Sequence, residues 1–446
     1  MSASPSLPSG TAPENTDSLR ERLNKTTAAY SRFVPREFLH LLGIDDIRKV
    51  ELGQQVERKM TILFCDIRNF TALSETMSPQ ENFNFLNSYL VQMEPVITAH
   101  GGFIDKYIGD AIMALFPGSP DEALRCSQSM LHQLEHYNDG RQRAGYRPIR
   151  IGIGINTGIV ILGTIGGAAR MDGTVIGDAV NLAARLERLT KEYRVSILIS
   201  DHTLYSLDHP GEWAIRFLDR TQVRGKQGSH SVYEVFNSDP PALVDAKKRT
   251  LKLFERALAC YHVGDHGAAR QRLVDYAAAV PDDTAVHVYL DRCNPLADSY
   301  VPPRRDPMPH WHEEYSHGVA TVDTMHQNLL ADMNTLARLL HDNSLESTGT
   351  LLDQIRDVAL RDFEIEHALM SEAGYPFFDL HARQHQRFFE YFDELRGEIE
   401  SGEEDRIYLV FRVKRFLSGW LVNHIVSADR HFGHFLRDPT SPGSTT

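Results

Sequence analysis

Between Glu51 and Asn237 the chain switches repeatedly between short strand-like runs (MTILFCDI, IMALF, IRIGIGINTG, VSILIS, SVYEVF) and helix-length amphipathic segments (PQENFNFLNSYLVQMEPVITAH, DAVNLAARLERLTKEY). A side-chain period of two suits a pleated sheet and one of 3.6 suits a helix, so this alternation restricts the stretch to a layered α/β domain. Residues 16–50 ahead of it read as a helical lead-in with apolar punctuation at Leu19, Leu23, Phe38 and Leu42, a pattern that could pair with its copy in a dimer. Pro240 and Pro241 end the α/β pattern. Residues 239–300 then read as a helical connector of two or three short helices, with turns at Gly264-Asp265 and Pro281 and the spacing of one tetratricopeptide-like hairpin. The Pro/Ser/Gly-rich segments 1–15 and 439–446 have too little apolar surface to offset ordering and read as disordered.

The whole is 446 residues with 42% apolar and 24% charged content, enough for several packed domains. A net charge of −13 disfavours nucleic acid or an anionic membrane as partner, since both recruit through positive fields. Cys65, Cys126, Cys260 and Cys293 lack C-x-x-C spacing, and no run reaches the roughly 18 apolar residues of a membrane span. The N-terminus lacks the basic flank and apolar core of a signal peptide. Together these lead to the expectation of a cytoplasmic protein.

Two aspartates stand beside strand-like runs: Asp66 in MTILFCDIRNFTALSE, followed by Phe70 and Thr71, and Asp110 at the Gly109-Asp110 turn of GGFIDKYIGDAIMALF. Paired carboxylates at strand ends suit hard divalent cations such as Mg²⁺, which take one or two carboxylates plus substrate phosphates. In TVIGDAVNLAARLERL, Asn181 and Arg185 are four residues apart and share a helix face, where an amide and a guanidinium can steady a phosphorus centre. These words in this order resemble the class III nucleotide cyclase catalytic domain over residues 51–238. The resemblance implies a ferredoxin-like sheet with helices, and conversion of ATP to 3′,5′-cyclic AMP and pyrophosphate at a head-to-tail homodimer interface. It implies that Asp66 and Asp110, with the Ile67 carbonyl, bind two Mg²⁺ or Mn²⁺ ions, one lowering the pKa of the ribose 3′-hydroxyl and the other holding the phosphates. By the same resemblance Phe70 and Thr71 lie at the substrate, Asn181 orients the ribose, Arg185 stabilises charge on the α-phosphate, and Lys226 binds phosphate. Lys106 and Thr174 match the base-selecting pair and favour adenine over guanine. Gly173 departs from the pattern, because an aromatic often precedes the position of Thr174.

The region from His310 to Arg437 holds 11 of the 21 histidines on helical patterns. His326, Asp362 with Glu366, His381 with His385, and His424 with Asp429 fall on four successive segments, so inward faces of a bundle could converge on a metal pair, and mixed imidazole and carboxylate donors suit iron. The words HEEYSHGVATVDTMHQNLL, DFEIEHALMSEAGYPFFDLHARQHQRFF and WLVNHIVSADRHF resemble bacterial hemerythrin over residues 301–438, a four-helix bundle. The resemblance implies a non-haem diiron centre: His381, His385 and His424 on one iron, His326 on the other, and Glu366 and Asp429 bridging. Asp362 stands where that family has histidine. A harder, anionic ligand there should stabilise ferric iron and disfavour simple carriage of O₂, pointing to sensing of redox state, O₂ or another diatomic gas. A single-iron site and a site without metal stay open.

The expected whole is therefore a multidomain, iron-regulated adenylate cyclase. The alternatives are a guanylate cyclase, or an oxygen- or iron-binding protein whose cyclase domain only dimerises. Two further patterns carry no site. The glycines of IGIGINTGIVILGTIGG lack a P-loop lysine and read as a strand-turn-strand hairpin. His132, Glu135 and His136 spell a short zinc-protease word on a polar helix face.

Overall fold

The computed structural model describes residues 16–30, 35–167, 170–222, 229–302, 308–316, 318–344 and 347–437. Among these, eight strands form one mixed sheet: β1 (Gln55–Ile67), β2 (Phe103–Ile108), β3 (Ala111–Phe116), β4 (Ile151–Gly167), β5 (Arg170–Ile176), β6 (Ile197–Ser200), β7 (Ile215–Gln222) and β8 (Ser229–Val235). Their order is β2-β3-β1-β4-β6-β8-β7, with β5 paired to β4. The chain divides into a small unit, Met1–Val56 with Leu162–Thr174, and a large one, Glu57–Ile161 with Val175–Thr446.

In the small unit the helices Thr16–Tyr30 and Arg36–Leu41 precede the first residues of β1. Leu23 is exposed, whereas Phe38 is buried with its ring against Gly173. A Cβ built on Gly173 would lie 2.8 Å from that ring, so Phe38 takes the space a larger residue at 173 would need.

In the large unit α1 (Pro79–Ala99) and α2 (Pro120–Arg143) pack on each other beside the sheet. Ser78 and Glu81 form a reciprocal capping box that fixes the start of α1. Helix α3 (Asp178–Tyr193) lies directly on the backbone of β4: a Cβ on Gly154 would come 2.0 Å from the Glu187 nitrogen, and one on Gly158 2.9 Å from the Ala179 methyl. These contacts correct the hairpin reading of the glycine-rich run. β4 is one unbroken strand from Ile151 to Gly167, and Gly152, Gly154 and Gly158 seat a helix instead of turning the chain. The short helix α4 (Asp201–Ser206) follows β6.

The connector contains α5 (Leu251–His262), α6 (His266–Ala279) and α7 (Thr284–Arg292), preceded by the short helix Pro241–Arg249. Asp265 caps α6 through the Ala268 amide at 2.9 Å. The connector is bound into the sheet through buried charges. Arg216 on β7, 1% exposed, donates to Glu234 of β8, to Tyr276 of α6, and to both carboxylate oxygens of Asp283 at 2.5 and 2.9 Å. Lys247 donates to Glu234 at 2.8 Å and to Asp239 at 2.5 Å. Burial opposes the Asp283 charge, but Arg216 overcomes it and draws the carboxyl down to about 2. Its contribution to stability is therefore complete above the ordinary carboxylate range and is lost as pH falls from about 4 to about 2. Asp283→Asn leaves Arg216 with a buried, half-matched charge, and thermal or urea unfolding at neutral pH should show a loss of about 3–5 kcal/mol.

Four long helical stretches complete the large unit: α8 (Ala320–His341), α9 (Thr348–Ala373), α10 (Phe378–Ser401) and α11, which runs from Arg406 to Arg437 with π-helical segments at Val413–Ser418 and Ile425–Asp429. α8 packs on α9 and α11, and α10 packs on α9 and α11. Their core, with Leu329, Met333, Leu352, Ile355, Phe388, Phe392, Val413 and Leu417, is continuous with the core of the sheet. Tyr205 of α4 meets Tyr391 of α10 edge-on at 5.4 Å, and the Arg415 guanidinium of α11 lies 3.6 Å over the Phe217 ring of β7. No helix among the described residues is long and apolar enough to cross a membrane.

Candidate functional sites

Antiparallel pairing of Cys65 with Ile112 carries Asp66, at the end of β1, level with the turn between β2 and β3. Gly109 adopts φ of +67°, which favours glycine and lets a two-residue turn present Asp110. Burial, then a hydrogen bond with Asp66 and that group's charge, push the Asp110 carboxyl up to about 7. Burial and the Asp66 charge likewise raise Glu187 to about 7, against Arg68 and Arg188. Asp110 Oδ2 is buried with no hydrogen-bond donor. Crowded carboxylates, one with an orphaned oxygen, are a donor set suited to a hard divalent cation.

Ile67 is buried, and its amide donates to Asp66 Oδ1 at 3.1 Å. Thr71 is exposed, whereas the Phe70 ring is turned into the core and stacks on Phe85 at 6.3 Å, so its side chain serves packing. Lys106 on β2 pairs with Asp105 at 3.3 Å and is 41% exposed. Thr174 is half-buried on β5. Asn181 is exposed and Arg185 half-buried, one helical turn apart on α3. Arg185 lines a groove of about 330 Å³ with Asp219, Arg220 and Arg292, and neither Asp66 nor Asp110 is among the lining residues. The structure thus joins Asp66, Ile67 and Asp110 at one turn and sets Asn181 and Arg185 on one helix, whose Glu187 feels the Asp66 charge. Lys226 lies outside the described residues. His132 and Glu135 are solvent-exposed on α2.

The second site gathers His326, Asp362, Glu366, His381, His385, His424 and Asp429, each 3% exposed or less. His326 Nε2 lies 3.0 Å from both Asp362 Oδ2 and Glu366 Oε1. The other Glu366 oxygen lies 3.1 Å from His381 Nε2 and 3.2 Å from His385 Nε2. Asp429 Oδ1 is 3.3 Å from His381 Nε2 and 3.1 Å from His424 Nε2. One donor group is Glu366, His381, His385 and His424, a second is His326, Asp362 and Glu366, and Glu366 belongs to both. Asp362 Oδ1 and Oδ2, Glu366 Oε1 and both Asp429 oxygens are buried with no aligned hydrogen-bond donor, so their lone pairs are available for a metal. Burial pushes Asp362 up to about 6 against the pull of His326. Asp429, despite its burial and the nearby Glu366, is drawn down to about 2 by His424 and then His326.

Helical spacing of four places Asp362 with Glu366 and His381 with His385, but His424 and Asp429 are five apart. In a regular α-helix that offset turns the second residue well off the face of the first. The π-helical turn Ile425–Asp429 removes the mismatch and brings Asp429 back to His424. Of the outer supports, sequence reading places His367 among the histidines that surround the ligands and misses Gln384. Gln384 Oε1 accepts from His424 Nδ1 at 2.8 Å, directing Nε2 inward, and His367 contacts His385 Nδ1 at 3.0 Å. Trp420 stacks on His424 at 4.6 Å and Phe363 on His385 at 3.6 Å.

Asp201, His202 and His230 also approach within 4.8 Å of one another. Both Asp201 oxygens already accept N–H groups, from His202, Ser231 and Asn423, and this cluster reads as a buried anchor.

Residues 52–236 match the family model of the adenylate and guanylate cyclase catalytic domain. An adenylate cyclase of Anabaena cylindrica is 46% identical over 220 residues, covering 48% of this chain and 44% of the relative. The terminal-differentiation-specific adenylate cyclase of Dictyostelium discoideum is 34% identical over 300 residues, covering 65% of this chain and 14% of the relative. A solved structure of a bacterial light-regulated adenylyl cyclase is 29% identical, covering 50% of this chain and 64% of that one, with a TM-score of 0.43. The chain spans less than half the length of these two curated relatives. Residues 52–236 are thus similar to cyclase catalytic domains, and a helical C-terminal region follows them.

Proposed function

We propose that residues 51–238 convert ATP to 3′,5′-cyclic AMP and pyrophosphate in a homodimer. The observation that carries this reading is Asp110, its carboxyl raised to about 7 and one oxygen orphaned, beside Asp66 in a span that matches cyclase domains. A divalent cation bound there supplies positive charge for phosphoryl chemistry. Asp66 and Asp110 hold that charge at the phosphates, while Arg185 opposes the negative charge that grows as pyrophosphate leaves. Asn181 orients the ribose so that its 3′-oxygen bonds to the α-phosphorus as the bond to the departing oxygen breaks. Lys106 and Thr174 read adenine, and Lys226 adds a phosphate contact. A second copy completes each site, and exposed Tyr107 and Ile108 beside Asp110 suit such an interface. Product analysis tests this: Mg-ATP yields cyclic AMP with equimolar pyrophosphate, whereas faster turnover of Mg-GTP at matched concentration would make the enzyme a guanylate cyclase.

Proton and cation compete for Asp110. The protonated carboxyl predominates below about pH 7, so the Mg²⁺ concentration for half-maximal rate should rise about tenfold per pH unit below 7 and level off above it. Magnesium titrations at pH 6, 7 and 8 check the sign.

The C-terminal helices form the second half of the proposal: a four-helix bundle holding non-haem iron, whose redox or gas-bound state regulates the cyclase. The buried carboxylate oxygens that lie among imidazoles without an aligned hydrogen-bond donor support a dinuclear donor set that shares Glu366. With Asp362 supplying an anionic donor, ferric iron is favoured and reversible O₂ carriage disfavoured. Optical redox titration decides this; an oxygenated form that releases O₂ on degassing contradicts it.

A further inference from the structure

The histidine cluster and the helix that carries Asn181 and Arg185 are joined by buried polar side chains. Asn423, the neighbour of His424, donates Nδ2–H to Asp201 Oδ2 at 2.6 Å. Asp201 begins α4, and its oxygens are further fixed by the Ser231 and His202 amides at 3.2 and 3.0 Å. Ser200, the preceding residue, caps α4 and donates Oγ–H to Asn156 Oδ1 at 2.5 Å. Asn156 on β4 donates Nδ2–H to the Ala179 carbonyl at 3.0 Å. Ala179 lies in the first turn of α3, two residues before Asn181. Asp201, Ser200 and Asn156 are each 2% exposed or less, so no bulk water can replace a partner that moves away.

The cluster end of this route departs from regular α-helix. His424 closes a short α-helical stretch between two π-helical segments, whose wider turns are a local alternative to the regular register. At the other end the first turn of α3 lies close on the β4 backbone at Gly158, with its Ala179 carbonyl held by Asn156.

We propose that Asn423, Asp201, Ser200 and Asn156 are positioning residues that couple the occupancy and redox state of the histidine cluster to the first turn of α3, and through it to Asn181 and Arg185. This rests on the cyclase and iron readings above. Coupling requires that iron favour one placement of the route over another, and by linkage nucleotide must then change the iron site reciprocally.

The test uses the full chain, iron-loaded and chelator-stripped, as wild type, Asn423→Ala and Asn156→Ala. Asn156 touches neither iron ligand nor nucleotide group, and its variant separates coupling from damage at the cluster. Affinity for a non-cyclisable ATP analogue and amide hydrogen exchange over residues 178–185 are measured in each state. In the wild type, iron loading is expected to change analogue affinity about fivefold or more and to alter that exchange. In both variants iron content is retained and the change shrinks to within about twofold. Variants that keep the full wild-type response overturn the route, as does a wild type that binds iron and analogue with no response. Failure of the underlying readings shows separately: a chain that takes up no iron has nothing to couple and ends the inference. One that takes up iron but makes no cyclic nucleotide refutes the cyclase reading, and exchange over 178–185 then decides the route alone.

Discussion

Asp110→Ala is expected to lower cyclic AMP formation by about 10³-fold or more while the protein stays folded. The magnitude follows from removing one of two carboxylates that hold several kcal/mol of electrophilic charge at the phosphates. The fold is spared because Asp110 sits in a two-residue turn and is not part of the buried core. Its removal also relieves the carboxylate crowding that adds to burial in raising Asp110 and Glu187 to about 7. Melting temperature should therefore be unchanged or slightly higher, and the loss should appear in kcat. A variant that keeps its turnover would remove Asp110 from the mechanism.

Glu366→Ala should have the largest effect on the C-terminal region. This carboxylate approaches His326 through one oxygen and His381 and His385 through the other, and it belongs to both donor groups. Its loss should drop iron from two per chain to less than one. It also takes a counter-charge from buried His326, whose protonation Asp362 and Glu366 favour, and in the metal-free protein a cost of about 3–5 kcal/mol is expected. Metal analysis with calorimetry separates the two effects, while unregulated cyclase activity should survive. Two irons per chain in this variant would mean that the donor set has been misassigned.

Which parts of this architecture could be seen in the sequence follows from how local each signal is. Asp66, Asp110, Asn181 and Arg185 stand next to strand or helix periods, and the histidines recur at helical spacing, so residue types and elements could be matched directly. Strand β7 was missed because IRFLDRTQ carries Arg216 inward, and a buried arginine disrupts the apolar alternation that marks a strand. The partners that make this arginine tolerable, Glu234 and Asp283, are far along the chain, and nothing local announces them. The glycines of β4 were misread for a related reason. A glycine looks the same in sequence whether it turns the chain or seats a helix, and the difference depends on Glu187 and Ala179 arriving from elsewhere. The five-residue step from His424 to Asp429 was visible, but the π-helical turn that reconciles it was not.

The most direct test of the account is the rate of cyclic AMP formation by the iron-quantified full chain, compared between air-oxidised and anaerobically reduced samples of the same preparation. The account predicts cyclic AMP from Mg-ATP in both, with rates that differ and interconvert as the iron is cycled. Equal rates in the two states of an iron-replete protein would contradict regulation by the histidine cluster, and no cyclic AMP in either would contradict the enzyme itself.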